Sequence, residues 1–262
     1  MTLCQVFRRL RVVRRSELFP AIRLACLLWA ANAHGGPPLL TDDPDTPGPN
    51  HWEINLAATS ENAAHEWEFG TPLADINYGV GDHIQLKYQV QANVLEPEHG
   101  GLRFGMGNSL AGVKWRFVDQ TNSSWLEIST YPQLEFVYPA SSGPRGLAVS
   151  GDNFLLPIEV EHQYKSLTVY AEAGFWWNEH PPTAAIYGLA GEYELSEKFS
   201  LMAEFYGGFD RAFENNGLSF NIGFRRSLFE HVALIGSAGR GIFGPPNLAP
   251  AFMSYLALQL TF

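Results

Sequence analysis

Charged side chains alternate with apolar ones along several segments of this 262-residue chain, and the two signs of charge are separated along the sequence. In a strand, residues of one parity share a face. Neighbouring strands would therefore set a basic wall against an acidic wall, and the field between them would orient polar solutes. The candidate residues for such a lining are, in chain order, Lys87, Lys114, Arg116, Glu127, Glu135, Glu159, Glu161, Glu172, Glu192, Glu204 and Arg225.

Aromatic side chains share a parity with some of these acids. Tyr170 and Trp176 lie on the parity of Glu172, and Tyr206 lies on that of Glu204. A ring can stack on a small aromatic molecule while a carboxylate accepts a hydrogen bond from its hydroxyl, so the combination suits a phenol-like solute. The alternative is that these rings only fill a narrow interior.

The charges could also neutralise one another. Lys114 and Arg116 precede the turn into the segment of Glu127, so lateral pairs between neighbouring strands are a full alternative to free charges. The acidic run outnumbers its bases, and its excess would favour cations or polarised neutral solutes.

The residue pattern does not favour catalysis or metal binding. A hydrolytic site would need a serine and a histidine oriented by a third polar group, and no histidine has a serine at a spacing that suggests such a pair. The acidic residues 41–45 match a calcium-binding loop only loosely and are interpreted as part of a solvated leader. We therefore expect no enzyme activity, no cofactor and no metal site.

About twelve alternating segments recur between residues 52 and 262, and single-chain bacterial barrels have even strand numbers. Residues 84–91 alternate without a break, whereas Leu73 is grouped with Ile76 and Tyr78 on the apolar parity despite an offset in its spacing. The last segment places Leu256, Leu258, Leu260 and Phe262 on one face. The pattern predicts an all-β, antiparallel, up-and-down transmembrane barrel whose closing strand pairs with residues 52–56.

The connections between these segments alternate in length. Outer-membrane barrels combine short periplasmic turns with longer outer loops, whereas a soluble β-sandwich has no reason to sort its loops by parity. A secreted sandwich is therefore the less favoured alternative. The short connections are residues 79–83, 119–123, 165–166, 196–198 and 227–231, and the longer ones are residues 60–70, 95–103, 138–152, 178–182, 210–216 and 244–249.

The N-terminal residues 1–33 are predicted to be a cleaved signal peptide. An arginine-rich start precedes an apolar run at residues 24–30, and small residues follow at Ala31 and Ala33. The apolar run is too short to span ~30 Å of hydrocarbon as a helix. Residues 34–50, dense in proline, glycine and aspartate, are predicted to form an extended periplasmic leader, and residues 51–262 the barrel, inserted into a bacterial outer membrane after export.

The charge balance and the cysteines limit the partners. Both cysteines, Cys4 and Cys26, fall in the predicted signal, so no disulfide or cysteine-based metal site is expected afterwards. Cleavage removes six of 17 basic and one of 27 acidic residues, which leaves 11 and 26 and a net charge of −15. This charge disfavours nucleic acid as a partner. The expected partners are the lipid bilayer and a small-molecule solute.

Several motifs run in order along the predicted barrel. Residues 37–44 read Pro-Pro-Leu-Leu-Thr-Asp-Asp-Pro and lead to His-Trp-Glu-Ile-Asn at residues 51–55. Together with later stretches, they resemble the bacterial "MetA-pathway of phenol degradation" transporter family. The resemblance implies an outer-membrane β-barrel that admits aromatic or other hydrophobic compounds such as phenols. The later stretches are residues 75–80, 84–87, 105–108, 112–117, 131–133, 156–157 and 238–240.

The sequence thus predicts an outer-membrane channel or transporter for small molecules. A plugged structural or adhesive barrel without transport is the main alternative. The terminal residue has a separate role: the ring and free carboxylate of Phe262 resemble the signal by which the barrel assembly machinery recognises its precursors, so this machinery is an expected partner during biogenesis.

Overall fold

The structure is a computed structural model that describes residues 36–120, 125–149, 151–178 and 183–262. The predicted signal peptide and its cleavage site lie outside the described residues. Within them no helix has the length and hydropathy to cross a membrane. The strands are β1 (Trp52–Ala63), β2 (Glu66–Val80), β3 (Ile84–Glu96), β4 (Arg103–Val118), β5 (Glu127–Thr130), β6 (Gln133–Val137), β7 (Asn153–Tyr164), β8 (Leu167–Asn178), β9 (Thr183–Ser196), β10 (Phe199–Asp210), β11 (Asn216–Phe229), β12 (Val232–Phe243) and β13 (Phe252–Thr261).

These strands form one closed antiparallel sheet. β13 pairs back onto β1 with Leu56 opposite Leu258, so the sheet has no free edge at the seam. β5 and β6 share one position in the ring, since both pair with β4 and β7 on either side of a break at Tyr131 and Pro132. Counted this way, the described residues form a 12-strand up-and-down barrel, which confirms the predicted fold.

The two faces of the barrel differ sharply in polarity. Along β13, Leu256 and Leu258 are 53% and 43% exposed, whereas Ala257 and Gln259 between and beside them are each 3% exposed. Other strands repeat this alternation, and their inner faces carry buried polar and charged residues. An apolar exterior around a polar interior is the arrangement of a transmembrane barrel, because lipid covers the outer face.

The connections divide the barrel into two ends. The turns at residues 81–83, 165–166, 197–198 and 230–231 lie at one end together with both termini of the barrel, and we call this the turn end. The longer connections, described at residues 97–102, 138–149, 151–152, 211–215 and 244–251, lie at the opposite, loop end. By the general rule for outer-membrane barrels, the turn end faces the periplasm. Most of the predicted connection at residues 178–182, and part of the one at 119–123, lies outside the described residues.

One predicted loop and one predicted orientation are wrong. β1 and β2 extend through most of residues 60–70 and leave only Ala64 and His65 between them, both at positive φ as tight hairpins require. The pairing of β2 shifts between Gly70 and Leu73, so Leu73 points inward and packs against Ala57.

The seam of the barrel generates a prediction about assembly. Trp52 and Phe262 exchange two backbone hydrogen bonds of 3.0 Å each, and the ring of Phe262 is exposed at the turn end. Deleting Phe262 removes both bonds and the terminal ring, so we expect a several-fold lower yield of heat-modifiable barrel in the outer membrane. Phe229→Ala, which removes another exposed ring at the same end, should keep a normal yield. Normal yield of the deletion would contradict a role for Phe262 in assembly.

Candidate functional site

The described part of the leader, residues 36–50, lies against the inner wall of the barrel. Thr41 and Asp43 are 0% and 2% exposed. A solvated acidic segment would leave such side chains in water, so the expectation of a solvated leader at residues 41–45 is wrong.

The leader enters the lumen at the turn end. The backbone N–H of Asn50 donates to the carbonyl of Gly79 over 3.0 Å, and the Thr46 hydroxyl donates to the carbonyl of Asp82 over 3.3 Å. Gly79 permits this approach, because a Cβ there would collide with the carbonyl oxygen of Gly48. The turn between β2 and β3 therefore holds the point where the leader turns into the barrel.

Two glutamates of the wall bind the backbone of the leader. Glu204 on β10 accepts the N–H groups of Leu40 and Thr41 at 2.9 and 2.8 Å and the Thr41 hydroxyl at 2.7 Å. Glu172 on β8 accepts the N–H of Asp42 at 3.1 Å. Hydrogen bonds to a carboxylate are stronger than those between neutral groups. These two acids of the predicted lining thus hold a segment of the chain itself.

A buried lysine joins the leader to the opposite part of the wall. Lys114 on β4 is 2% exposed, and its Nζ lies 2.9 Å from Asp42 Oδ1 and 3.6 Å from both Asp43 Oδ1 and Glu159 Oε2. It also donates to the backbone carbonyl of Asp43. Burial raises the pKa of Asp43, a leader residue, to about 6, and the ammonium group of Lys114 opposes this shift.

Arg116 forms a second link between leader and wall. Its Nη1 donates to Asp45 Oδ1 at 2.8 Å and to Glu127 Oε2 at 3.1 Å. Glu161 on β7 lies opposite Glu127 on β5. The lateral pair between Arg116 and Glu127 that the sequence allowed is therefore present.

The remaining predicted bases also lie beside acids. Lys87 Nζ lies 3.2 Å from Asp75 Oδ1, and Arg225 Nε lies 3.9 Å from Glu192 Oε1. Basic and acidic residues are thus interleaved through neighbours and through the leader. The structure does not set a free basic wall across open lumen from a free acidic one.

Apolar side chains pack around the inner end of the leader. Leu39 forms a buried cluster with Tyr170, Ala190 and Met202. Tyr170, which the sequence grouped with a possible aromatic surface for solutes, is therefore covered by the leader.

Tyr131 is a buried residue that the sequence reasoning missed. It lies at the break between β5 and β6, its ring centroid is 4.8 Å from Lys114 Nζ, and its hydroxyl accepts a hydrogen bond from Gln85. Its sequence signals are the interruption of an alternating segment by Pro132 and the place of residues 131–133 in the family resemblance.

A cavity of about 260 Å³, which we call the vestibule, lies toward the loop end. Trp176, Tyr206 and Glu135 line it, and the Asn153 side-chain amide donates to Glu135 over 2.9 Å. Leu248 from the last long connection also borders it. The vestibule therefore brings together two of the three predicted aromatic residues with a carboxylate from a different strand than expected.

The fold has known counterparts among solved structures. A KdgM porin matches with a TM-score of 0.57 at 9% identity, over 80% of this chain and 99% of that chain. An outer membrane channel from Pseudomonas putida F1 matches with a TM-score of 0.56 at 12% identity, over 87% and 100%. A NanC porin matches with a TM-score of 0.57 at 7% identity, over 79% and 98%. Identities this low establish a shared fold alone.

No protein-family model and no curated protein matches the chain. The resemblance to the MetA-pathway transporter family therefore stays a prediction. The barrel fold shared with outer-membrane porins, combined with the apolar exterior of this barrel, places the protein in a bacterial outer membrane.

Removing the buried lysine should destabilise the protein. Lys114→Met leaves the buried Asp43 and Glu159 and the half-buried Asp42 without their cation, and breaking a buried ion pair from one side costs about 3–5 kcal/mol. We expect a loss of that size in the free energy of unfolding, measured by urea titration of the barrel in lipid vesicles. Lys165→Met, in an exposed turn, should change it by less than about 0.5 kcal/mol. Equal effects of the two substitutions would contradict the role of Lys114.

Proposed function

We propose that this protein is an outer-membrane channel for small solutes whose lumen is closed from the turn end by its own leader. The observation that carries this proposal is how the leader is held. Among the described residues, positions 36–49 make no backbone–backbone hydrogen bond to a strand. This segment, residues 36–49, is bound to the wall through side chains, as in the contacts of Glu204 and Lys114. It can therefore leave the lumen without breaking any strand pairing of the barrel.

The excess of acidic residues in the lumen favours the passage of small neutral or cationic solutes. The described wall carries more buried acids than bases, and the leader adds Asp42, Asp43 and Asp45. One KdgM porin was solved in complex with oligogalacturonate, a chain of acidic sugars. A polyanion of that kind would be repelled by the acidic interior of this barrel.

The residues that line the vestibule favour an aromatic solute in particular. Trp176 and Tyr206 are half-buried and present ring surface to the cavity, while Glu135 offers a hydrogen-bond acceptor that Asn153 holds in place. A planar ring with a hydroxyl group, such as phenol, matches this combination of stacking surface and carboxylate. The bilayer and, during insertion, the assembly machinery are the proposed partners, and no enzymatic activity is proposed.

Removing the leader should open the channel. We expect deletion of residues 36–47 to raise single-channel conductance in planar bilayers several-fold, because the segment that fills the lumen is gone. Gly188→Val should act in the same direction without shortening the chain, since a side chain there would collide with Thr41. Circular dichroism checks that both variants keep their barrels. Absence of conductance in a folded deletion variant would refute the channel and favour a structural barrel.

The vestibule can be tested with phenol as a blocker of ion current. Losing one stacking partner costs about 0.5–1.5 kcal/mol, so Trp176→Ala should raise the half-blocking concentration of phenol about 2- to 10-fold. Trp177→Ala is the matched control, because that neighbouring ring is 55% exposed on the outer face. A pentose should block both variants equally. If the half-blocking concentration of phenol is the same for Trp176→Ala and the unmodified protein, the stacking proposal is wrong.

A further inference from the structure

Three carboxylates meet where the leader passes the turn end of the wall. Asp45 comes from the leader, Glu127 from β5 and Glu161 from β7, and we call them the carboxylate cluster. Each offers one oxygen, and these oxygens all lie within 4.8 Å of one another. Calcium binds oxygen ligands at about 2.3–2.6 Å, so a single ion can contact oxygens at this separation.

Glu161 gives independent evidence that a ligand belongs here. Its side chain is 5% exposed, and its Oε2 has no hydrogen-bond partner among the described residues. A buried carboxylate without a partner is costly, because it has lost its water and gained nothing in return. The same side chain directs an oxygen into the carboxylate cluster.

The neighbouring base does not satisfy Glu161. Arg116 Nη1 is bound to Asp45 at 2.8 Å and to Glu127 at 3.1 Å. With all three carboxylates ionised, as metal ligands are, the single guanidinium leaves a formal charge of −2 at this position. A divalent cation would neutralise that charge and supply the missing partner of Glu161.

We propose that the carboxylate cluster binds a calcium ion that fastens the leader to the barrel wall. Carboxylate oxygens are hard ligands, and ligands on three separate elements suit the variable geometry of calcium better than the strict octahedron of magnesium. Asp45 and Glu127 keep 19% and 13% of their side-chain surface exposed, so the ion can enter from the turn end. The expectation from the sequence that the protein has no metal site is replaced by this proposal.

Calcium binding can be measured without any transport assay. A chelator first removes bound metal from the protein folded in detergent. The protein is then titrated with CaCl₂, and the heat of binding and the amount of bound calcium are measured. We expect one Ca²⁺ per chain, and at least tenfold weaker binding for Glu161→Gln. Glu68→Gln, a half-buried glutamate toward the loop end, should bind as the unmodified protein does. Absence of binding at about 1 mM, the weak limit of extracellular calcium modules, or unchanged binding by Glu161→Gln, would overturn the site.

A second measurement tests whether the ion holds the leader. Thr46, one residue after Asp45, is 8% exposed, and Thr46→Cys places a thiol there for labelling with a maleimide. Calcium should slow labelling of this variant. It should not change the labelling rate of the double variant that combines Thr46→Cys with Glu161→Gln. Labelling that ignores calcium, in protein that binds it, would overturn the fastening role. Because neither readout involves conductance, a failed channel would not be mistaken for a failed site.

Discussion

The ammonium group of Lys114 makes the contact on which the interior of this barrel depends. A buried cation on β4 has lost its water and must be surrounded by acceptors. The wall supplies only part of them, with Glu159 at 3.6 Å, and the leader supplies Asp42 at 2.9 Å and the carbonyl of Asp43. The two adjacent acids of the leader would in turn repel one another in a lumen without Lys114. Without the leader, Lys114 would lack most of its acceptors, and without the wall, the acids of the leader would lack a cation. This explains why the two are found together.

The backbone of the leader places a second demand on the wall. A buried segment outside the sheet must still satisfy its N–H groups, and for Leu40, Thr41 and Asp42 the acceptors are Glu204 and Glu172. The acidic excess of the lumen is therefore partly structural. While the leader is in place, these charges are not available to a passing solute. In the proposed channel, selectivity would thus depend on the position of the leader as much as on the composition of the wall.

The barrel could be predicted from the sequence because its signals are local. A one-residue slip turns every side chain of a strand to the other face, so the contrast between lipid and lumen is visible in each segment, most clearly in residues 84–91 and 256–262. The alternation disappears where a strand no longer has lipid on one face and the lumen on the other. Near the loop end, residues 60–65 read Ser-Glu-Asn-Ala-Ala-His and show no apolar alternation, and Glu61 is exposed there. The shift at Leu73 has a different cause, a local irregularity beside Pro72.

The position of the leader could not be predicted in the same way. Thr41 is buried by a contact with Glu204, 163 residues away, and Lys114 meets Asp43 across 71 residues. Nothing in the spacing of proline, glycine and aspartate distinguishes such a segment from a solvated one. The candidate lining residues were identifiable because parity places them inward, but parity does not say what they face.

The porins that share this fold have no more than 12% identity to the chain in the matches described above, and this limits what the fold can explain. The outer face contacts lipid and therefore requires only apolar residues at alternate positions, a condition that many sequences satisfy. The inner face has no such common requirement. Here it is occupied by ion pairs such as Lys114 with Asp42 and by a vestibule that contains Trp176. In the channel proposed here, a preference among solutes would therefore depend on these inward residues, the leader and the vestibule, because the shared fold fixes only the wall that positions them.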